Sequence, residues 1–291
     1  MHKQDEAILR SLGYDPRQCA KLSSDQAERN AVYASGNEII KLYGVNRSVK
    51  IIQSTPNNRA LLRAQAEQKF SALALEHGVY APQTLRLGVV SGVPYTVSER
   101  MRGTMPAQAD LRNIGVWREA GELLGKFHAP ALGDGRKWME NWLRYCHTYN
   151  EAVLKDNADQ ALQRALRPAM AWYDLNIRPS DYTLIPFGAC HNDFAPRNVI
   201  CENGHAIGLI DFELSHEGNV ELDLADLYAR AFGTWPKETG AFFDGYRQSA
   251  LLAPGFMERL PLYLIGRSLL ASPGWLIRFF TERGILSADP G

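Results

Sequence analysis

The sequence predicts an α+β fold in two lobes, with a small antiparallel β-sheet followed by a mainly helical region. In the first third, the stretches 30–44 and 84–103 place strand-forming apolar residues on both sides of a turn signal. Between them, 59–77 repeats apolar residues at helical spacing, and a short helix is also expected at 5–12. After residue 110 helical patterns dominate, and 291 residues are enough for two lobes.

The first hairpin places a lysine inside a strand. It turns at Gly36-Asn37, and strand alternation puts Lys41 on one face with Ile39 and Tyr43. A single lysine in an apolar strand usually faces solvent, so the pattern alone does not make Lys41 functional.

The helix at 59–77 offers two glutamates that could pair with this lysine. Glu67 lies one turn from Phe70, near the apolar stripe, and Glu76 is the rival candidate. Arg63 provides Glu67 with an alternative partner one turn away on the same helix. The pattern alone leaves the choice between Glu67 and Glu76 open.

The second hairpin leads into a connecting segment. It turns at Ser91-Gly92, and Pro94 places its second arm at a sheet edge, since proline cannot donate a ladder hydrogen bond. This arm ends at Glu99–Met101. We therefore predict an N-lobe at 1–102 and a C-lobe at 103–291.

The C-lobe is expected to be helical on both sides of one polar stretch. A helix is predicted at 110–128, two more within 134–186, with Pro168 in or at the start of the second, and further helices in 225–291. The many aromatic residues of these helices fit helix packing. The alternative is an aromatic pocket for a cationic acceptor.

The polar stretch at 190–213 carries the residues with chemical potential. It contains a short hairpin with Asn203-Gly204 as its turn, which returns Asp211 beside Asn198 and near Asp193. Oxygen ligands of this kind suit Mg²⁺ bound to nucleotide phosphates. A nearby carboxylate that does not bind the metal can accept a hydroxyl proton.

Two motifs in this region resemble a known family. HNDFAPRN at 191–198, followed by IDFE at 210–213, resembles the pattern HxDxxxxN…[IV]D[FW] of the aminoglycoside phosphotransferase family, and LDLADL at 222–227 is similar to its DLA segment. The protein-kinase catalytic loop has the same Asp-to-Asn spacing. The resemblance implies a bilobal protein-kinase-like fold. The alternative is a hairpin with chance polar residues at its mouth.

The same resemblance assigns roles within the loop. It implies that Asp193 is the general base, or orients the acceptor hydroxyl, and that Asn198 and Asp211 are the Mg²⁺ ligands. His191 is expected to hold the loop by hydrogen bonds. Asp223 is expected to fasten it by accepting backbone N–H bonds.

The nucleotide-binding roles also follow from the resemblance. Lys41 matches the lysine that contacts the α/β-phosphates, and Glu67 the helix glutamate that pairs with it. Glu99 and Met101 lie in the hinge expected to contact the base through backbone groups. The Met101 side chain either packs on the base or fills the core.

The chain departs from the protein-kinase pattern in two places. The segment 23–29, where a protein kinase has its glycine-rich phosphate cover, contains no glycine, and Glu213 replaces the glycine that follows Asp-Phe in protein kinases. Arg197 is expected either to contact the γ-phosphate or to form an ion pair with Glu202 or Glu213. No P-loop motif occurs, which argues against the other large class of phosphotransferases.

The composition narrows the class of partner. The chain has 32 basic and 32 acidic residues, so its formal net charge of zero predicts neither a nucleic-acid nor a membrane-surface partner. The start lacks the apolar core of a signal peptide, and no apolar run reaches the ~20 residues that span a bilayer. Four scattered cysteines are expected to be reduced thiols in a cytoplasmic protein.

The sequence therefore predicts a Mg²⁺-dependent kinase that transfers the γ-phosphoryl group of ATP or GTP to a hydroxyl group of a small molecule. An aminoglycoside-like acceptor, and hence antibiotic resistance, is the leading expectation. Choline, ethanolamine, homoserine and sugars stay open as acceptors, and the oligomeric state is left open. A nucleotide-binding pseudokinase that acts as a scaffold is the alternative from another class.

Overall fold

The computed structural model describes most of the chain. The described residues are 1–22, 30–44, 57–107, 109–129, 135–156, 160–176, 187–230, 236–268, 281–282 and 284. The glycine-free segment 23–29 and the end of the predicted helical tail, 269–280, lie outside them.

A five-stranded antiparallel sheet occupies the N-terminal part, in the order β1-β2-β3-β5-β4. The strands are β1 (Ala20–Lys21), β2 (Ala31–Ser35), β3 (Glu38–Leu42), β4 (Thr84–Val90) and β5 (Val93–Glu99). Both hairpins turn where predicted. Ser91, Gly92 and Gly36 have positive φ, as tight hairpin turns require.

The prediction that Pro94 puts its strand at a sheet edge is wrong, because β5 lies between β3 and β4. The Pro94 carbonyl accepts a hydrogen bond from the Tyr43 N–H, one residue beyond the end of β3. The N–H and C=O groups of a strand residue point to the same side. The missing N–H of Pro94 therefore falls past the end of β3, where it costs no ladder hydrogen bond.

One helix covers the outer side of the sheet and another joins the sheet to the rest of the molecule. Helix α1 (Lys3–Ser11) buries Ile8 and Leu9 against the sheet. The Tyr33 hydroxyl also donates to the Asp5 carboxylate, 2.6 Å away. Helix α2 (Asn57–Glu76) ends before Gly78, whose φ is +74°, and it packs into the main core through Phe70 and Ala74.

The remainder is mainly helical, as predicted. Its helices are α3 (Ile114–His128), α4 (Arg136–Asp156), α5 (Gln160–Asn176), α6 (Glu221–Arg230), α7 (Pro236–Ser249) and α8 (Phe256–Ser268). Helix α3 begins later than predicted because the Asn113 side chain caps it, accepting from the Gly115 N–H. Ile114, the first residue of the helix, is half-exposed. None of the described helices is long and apolar enough to cross a membrane.

Two small two-stranded antiparallel sheets interrupt the helical region. Strand β6 (Phe187–Cys190) pairs with β9 (His216–Asn219), and β7 (Val199–Glu202) pairs with β8 (His205–Leu209). The β7–β8 hairpin extends on both edges. Thr104 exchanges two backbone hydrogen bonds with Cys201, and the Leu209 N–H donates to the Tyr80 carbonyl. The segments that follow α2 and β5 are therefore attached to opposite edges of this hairpin.

Helices α3 and α7 approach each other closely at glycines. A Cβ atom on Gly121 would lie 2.0 Å from the Phe242 carbonyl oxygen, and one on Gly245 would lie 1.8 Å from the Arg118 carbonyl oxygen. Backbone leaves no room for a methyl group at either position.

Substitution of Gly245 by alanine is expected to lower the free energy of unfolding by about 1–3 kcal/mol, because it forces α3 and α7 apart. The matched control is Gly240→Ala on the same helix, where the new Cβ meets nothing within 4 Å and the helix gains about 0.5–1 kcal/mol. Urea denaturation measures both. Equal effects of the two substitutions would contradict the proposed close contact.

Candidate active site

A buried lysine lies among three carboxylates where the sheet meets the helical region. The Lys41 Nζ atom is 3.1 Å from Glu67 Oε2, 2.5 Å from Asp211 Oδ1 and 2.9 Å from Glu213 Oε2. Alternation along β3 turns Ile40 and Leu42 into the core under α1 and directs Lys41 to the opposite face. The structure therefore selects Glu67 rather than the exposed Glu76 as the glutamate of α2 that meets the lysine.

The charges of this cluster shift one another's pKa values. Burial alone would lower the pKa of Lys41, but Glu67 and the other nearby groups raise it well above its usual value. Burial raises the pKa of Glu67, and Asp211 and Glu213 add to this by repulsion while Lys41 opposes it. Burial also disfavours ionised Asp211, but Lys41, and then His191 and Arg197, outweigh it, so its pKa is lowered. Asp211 is thus ionised and Lys41 charged.

The Asp193–Asn198 turn forms the second part of the site. Residues Pro196–Asn198 form one turn of 3₁₀-helix, which brings the Asn198 side chain back to Asp193. The Asn198 Nδ2 atom donates to the Asp193 carbonyl at 2.9 Å and approaches its Oδ2 atom at 3.4 Å. Because the amide nitrogen is used in this way, the amide oxygen points elsewhere and is available as a ligand.

Arg197 has a different partner from those predicted. Its Nη2 atom lies 2.6 Å from Asp193 Oδ2. Of the two alternatives, the ion pair with Glu202 or Glu213 does not form in the described residues, because the 3₁₀ turn directs the side chain back over the residue four positions earlier. The contact with the γ-phosphate stays a prediction. More than half of the Arg197 side chain is exposed, against 16% of that of Asp193.

Asp223 holds the backbone that leads into Asp193. One carboxylate oxygen accepts the His191 N–H at 2.5 Å, and the other accepts the Asn192 N–H at 2.6 Å. The Asp223 side chain is fully buried and also meets His128 Nε2 at 3.1 Å. Asn192 has a φ of +62°, a left-handed conformation that asparagine tolerates. The carboxylate therefore fixes a turn that backbone preference alone would not favour.

His191 joins this turn to the segment that carries Asp211. Its Nε2–H donates to the Ile210 carbonyl at 2.9 Å, and its ring contacts that of Phe212. Burial lowers the pKa of His191, against the opposing charges of Asp223 and Asp211, so the ring is neutral at pH 7. The buried imidazole thus links the turn before Asp193 to the segment that carries Asp211.

Asp211 leaves β8 in an unusual backbone conformation. Its φ is +69°, in the left-handed region, and the preceding Ile210 N–H donates to the Asn198 carbonyl at 3.0 Å. Asp and Asn are among the few residues that adopt this conformation at low cost. The bend turns the Asp211 carboxylate towards β3 while its backbone stays tied to Asn198.

The oxygen-rich groups fit a magnesium ion in kind. Carboxylate and amide oxygens are the ligands that Mg²⁺ prefers, and Asn198 and Asp211 provide both on adjoining backbone. Among the described residues, carboxylate oxygens of Glu67, Asp211 and Glu213 also lie within 4.8 Å of one another. These three surround Lys41, so the lysine itself neutralises part of their charge.

The connecting segment after β5 lies beside the same hairpin. The Glu99 N–H donates to the Gln83 carbonyl, and the Glu99 side chain is exposed. The methyl end of Met101 and the Tyr80 carbonyl approach Gly208 so closely that a Cβ there would be 2.6 and 2.3 Å from them. Met101 therefore packs on β8, and the structure does not bring it or Glu99 into contact with the Lys41 cluster.

Glu213, which the sequence suggested only as a possible partner of Arg197, contacts three other residues. Besides Lys41, its carboxylate contacts Arg63 of α2 at 3.5 Å and accepts a short hydrogen bond from Asn30. Asn30 in turn accepts from the Gly44 N–H just after β3. The available signal was an acidic residue in place of the expected glycine, two positions after Asp211.

A comparison with protein families places the chain. The model of the phosphotransferase enzyme family, APH, matches residues 42–260, well over half of the chain. The chain belongs to the phosphotransferase enzyme family. The family predicted from HNDFAPRN and IDFE is thus confirmed, and the matched range contains the whole described cluster except Lys41, which directly precedes it, and Asn30.

The curated relatives of the chain have low sequence identity to it. The homoserine kinase of Pseudomonas aeruginosa (strain LESB58) is 26% identical over 200 residues, which cover 64% of this chain and 58% of that protein. The chain thus spans 58% of the length of the curated relatives it matches.

Solved structures of family members share the fold. A choline/ethanolamine kinase family protein from Mesorhizobium loti has a TM-score of 0.61 at 19% identity, covering 98% of this chain and 88% of that one. A point mutant of an aminoglycoside 2′-phosphotransferase in complex with GDP has a TM-score of 0.65 at 14% identity, with 97% of each chain covered. The predicted bilobal protein-kinase-like α+β fold is confirmed.

Replacement of Asp223 by asparagine is expected to lower the free energy of unfolding by about 1–3 kcal/mol, because the amide keeps only one acceptor oxygen for two buried N–H groups. The matched control is Asp244→Asn, whose side chain is largely exposed on α7. Denaturant titration compares the two proteins. A stability for Asp223→Asn as high as that of the control would show that the loop does not depend on this carboxylate.

Proposed function

We propose that the chain is a Mg²⁺-dependent kinase that transfers the γ-phosphoryl group of ATP or GTP to a hydroxyl group of a small molecule. The observation that supports this best is one joined cluster. It has a lysine held by Glu67 and Asp211 on one side and the Asp193–Asn198 turn on the other. Phosphoryl transfer needs these parts together, because catalysis depends on positioning and charge stabilisation.

Lys41, held in place by Glu67, would bind the donor phosphates. The lysine keeps its charge despite burial because Glu67 faces it at 3.1 Å, and the ion pair fixes the ammonium group in one place. Triphosphate oxygens would then replace Asp211 and Glu213 as partners of Lys41. Glu67 would keep its contact with Lys41, because it lies on α2, whereas Asp211 and Glu213 lie in the segment after β8.

Asn198 and Asp211 would hold the magnesium ion. When bound, Mg²⁺ supplies neutralisation of the phosphate charge. The lowered pKa of Asp211 keeps its carboxylate ionised for that purpose, and the Asn198 amide already has its nitrogen turned to Asp193.

Asp193 would receive the acceptor hydroxyl. A base must lie within hydrogen-bond reach of the proton it accepts, and Asp193 is held near the site by Asn198 from one side and by the Asp223-anchored backbone from the other. His191 and Asp223 act as positioning residues. Glu99 and Met101 would contact the nucleotide base through their backbone groups, with the Met101 side chain as packing beneath them.

The acceptor is the least constrained part of this function. An aminoglycoside-like acceptor rests on the motif resemblance, whereas the curated relatives carry the name homoserine kinase and favour a small amino acid with a hydroxyl group as the second candidate. Choline or ethanolamine is a third, after the name of one structural neighbour. A coupled assay with ATP and GTP against all of these compounds and free sugars tests the proposal.

The contrasting hypothesis is a pseudokinase that binds nucleotide without turnover. Asp193→Ala is expected to lower phosphoryl transfer by about 10²–10⁴-fold while Mg²⁺-nucleotide binding persists. Asp244→Ala on α7 is the control. Nucleotide binding without acceptor-stimulated turnover in the native chain, across the whole panel, would favour the scaffold instead.

Replacement of Glu67 by glutamine is expected to lower kcat/KM for the nucleotide by about 10–100-fold. The reason is that a buried charge-assisted hydrogen bond worth about 1.5–3 kcal/mol is weakened. Glu76→Gln, on the exposed side of the same helix, is the matched control. Steady-state kinetics with varied nucleotide measures both, and identical values for the two variants would remove Glu67 from the donor site.

A further inference from the structure

The Arg197 guanidinium contacts the carboxylate that is proposed to receive the acceptor hydroxyl. Its Nη2 atom lies 2.6 Å from Asp193 Oδ2, and 55% of the Arg197 side chain is exposed. The Asp193 side chain is 16% exposed. A compound whose hydroxyl group reaches Asp193 therefore comes within contact range of this cation.

The contact with Asp193 does not account for the arginine as a stabilising group. An ion pair whose cation is more than half exposed contributes only modestly to folding, because solvent screens the charge and both side chains lose freedom. Arginine also has five N–H donors in a planar fork, and the described pair with Asp193 involves Nη2. Such a fork can bind a second carboxylate while it keeps the first contact.

The electrostatics of the surrounding site give the cation a specific use. Lys41, the other cation of the cluster, is already shared by three carboxylates. Arg197 is the cation in direct contact with Asp193. An anionic acceptor would meet Asp193 and donor phosphates, all negative, unless a cation stood between them.

We propose that Arg197 is a specificity residue that binds the carboxylate of the acceptor, so that the preferred acceptors are small hydroxy acids, including amino acids with a hydroxyl group, rather than polycations. The inference rests on the proposed function, since it places the acceptor hydroxyl at Asp193. A cationic acceptor would instead approach a guanidinium of like charge.

The test compares acceptors that differ in one charge. Short hydroxy acids with a terminal hydroxyl are each assayed beside their primary amides and beside an aminoglycoside, with Mg²⁺ and ATP. The native chain is expected to favour each acid over its amide by about tenfold or more in kcat/KM, the value of one charge-assisted contact.

The variants are Arg197→Gln, Arg197→Lys and the control Arg247→Gln. Arg247 has the same 55% exposure and also pairs with an aspartate, Asp244, but on α7. Arg197→Gln is expected to abolish the acid-over-amide preference, Arg197→Lys to restore part of it, and Arg247→Gln to leave it unchanged. An equal loss of activity on acids and amides in Arg197→Gln would overturn the proposal, because Arg197 would then only position Asp193.

Calorimetry separates this inference from the kinase function. Binding of the hydroxy acids is measured in the presence of Mg²⁺ and a non-hydrolysable ATP analogue, in the native chain and in Arg197→Gln. Binding that needs Arg197, without turnover of any acceptor, supports the carboxylate site while the kinase proposal fails. Turnover of amides or aminoglycosides as fast as acids leaves the kinase proposal intact and overturns this one, and an absence of hydroxy-acid binding overturns it as well.

Discussion

The buried charge of Lys41 is the constraint on which the rest of the described site depends. An ammonium group cannot stay charged away from water unless opposite charges face it. Its partners are Glu67 of α2, Asp211 directly after β8, and Glu213 of the following 3₁₀ turn, Phe212–Leu214. Each partner is placed correctly only if the sheet, the helix and the β7–β8 hairpin are all in position. The lysine thereby ties together three separate elements, and its loss would leave three carboxylates close to one another without the ammonium group between them.

A second carboxylate supports the site from behind and works in a different way. Asp223 carries no role in the charge balance around Lys41, because its oxygens are used by two N–H groups and by His128. His128 continues inward to the Tyr246 hydroxyl of α7. The loop thus rests on a chain of buried hydrogen bonds that reaches the α3–α7 contact. The proposed function requires phosphate oxygens to replace two carboxylate partners of Lys41, whereas the hydrogen bonds of Asp223 are buried and stay in place.

Local patterns were enough to predict most elements, because turn residues and the helical period act over a few positions. They identified both sheet hairpins, α2 and the Asn203-Gly204 turn, and the motif spacing identified the family. Strand order was not encoded in this way. Pro94 was read as an edge residue because sequence cannot show where the neighbouring strand ends.

Pairing between side chains was the other limit. Arg197 pairs with Asp193, only four positions earlier, because of one turn of 3₁₀-helix that no periodic pattern indicated. Glu213 meets Asn30 from a segment 183 positions away in sequence. Such contacts follow from the packed fold rather than from neighbours in sequence, and they are the contacts that give the site its charge balance.

The β7–β8 hairpin is bound along both edges, by Thr104 on one side and by the Tyr80 segment on the other. Two strands alone are marginal in water, and here the segment between α2 and β4 and the segment after β5 each add a neighbour to the hairpin. The hairpin therefore couples the positions of these two segments to the backbone of Asn198 and Asp211, which flank its two strands at the same end.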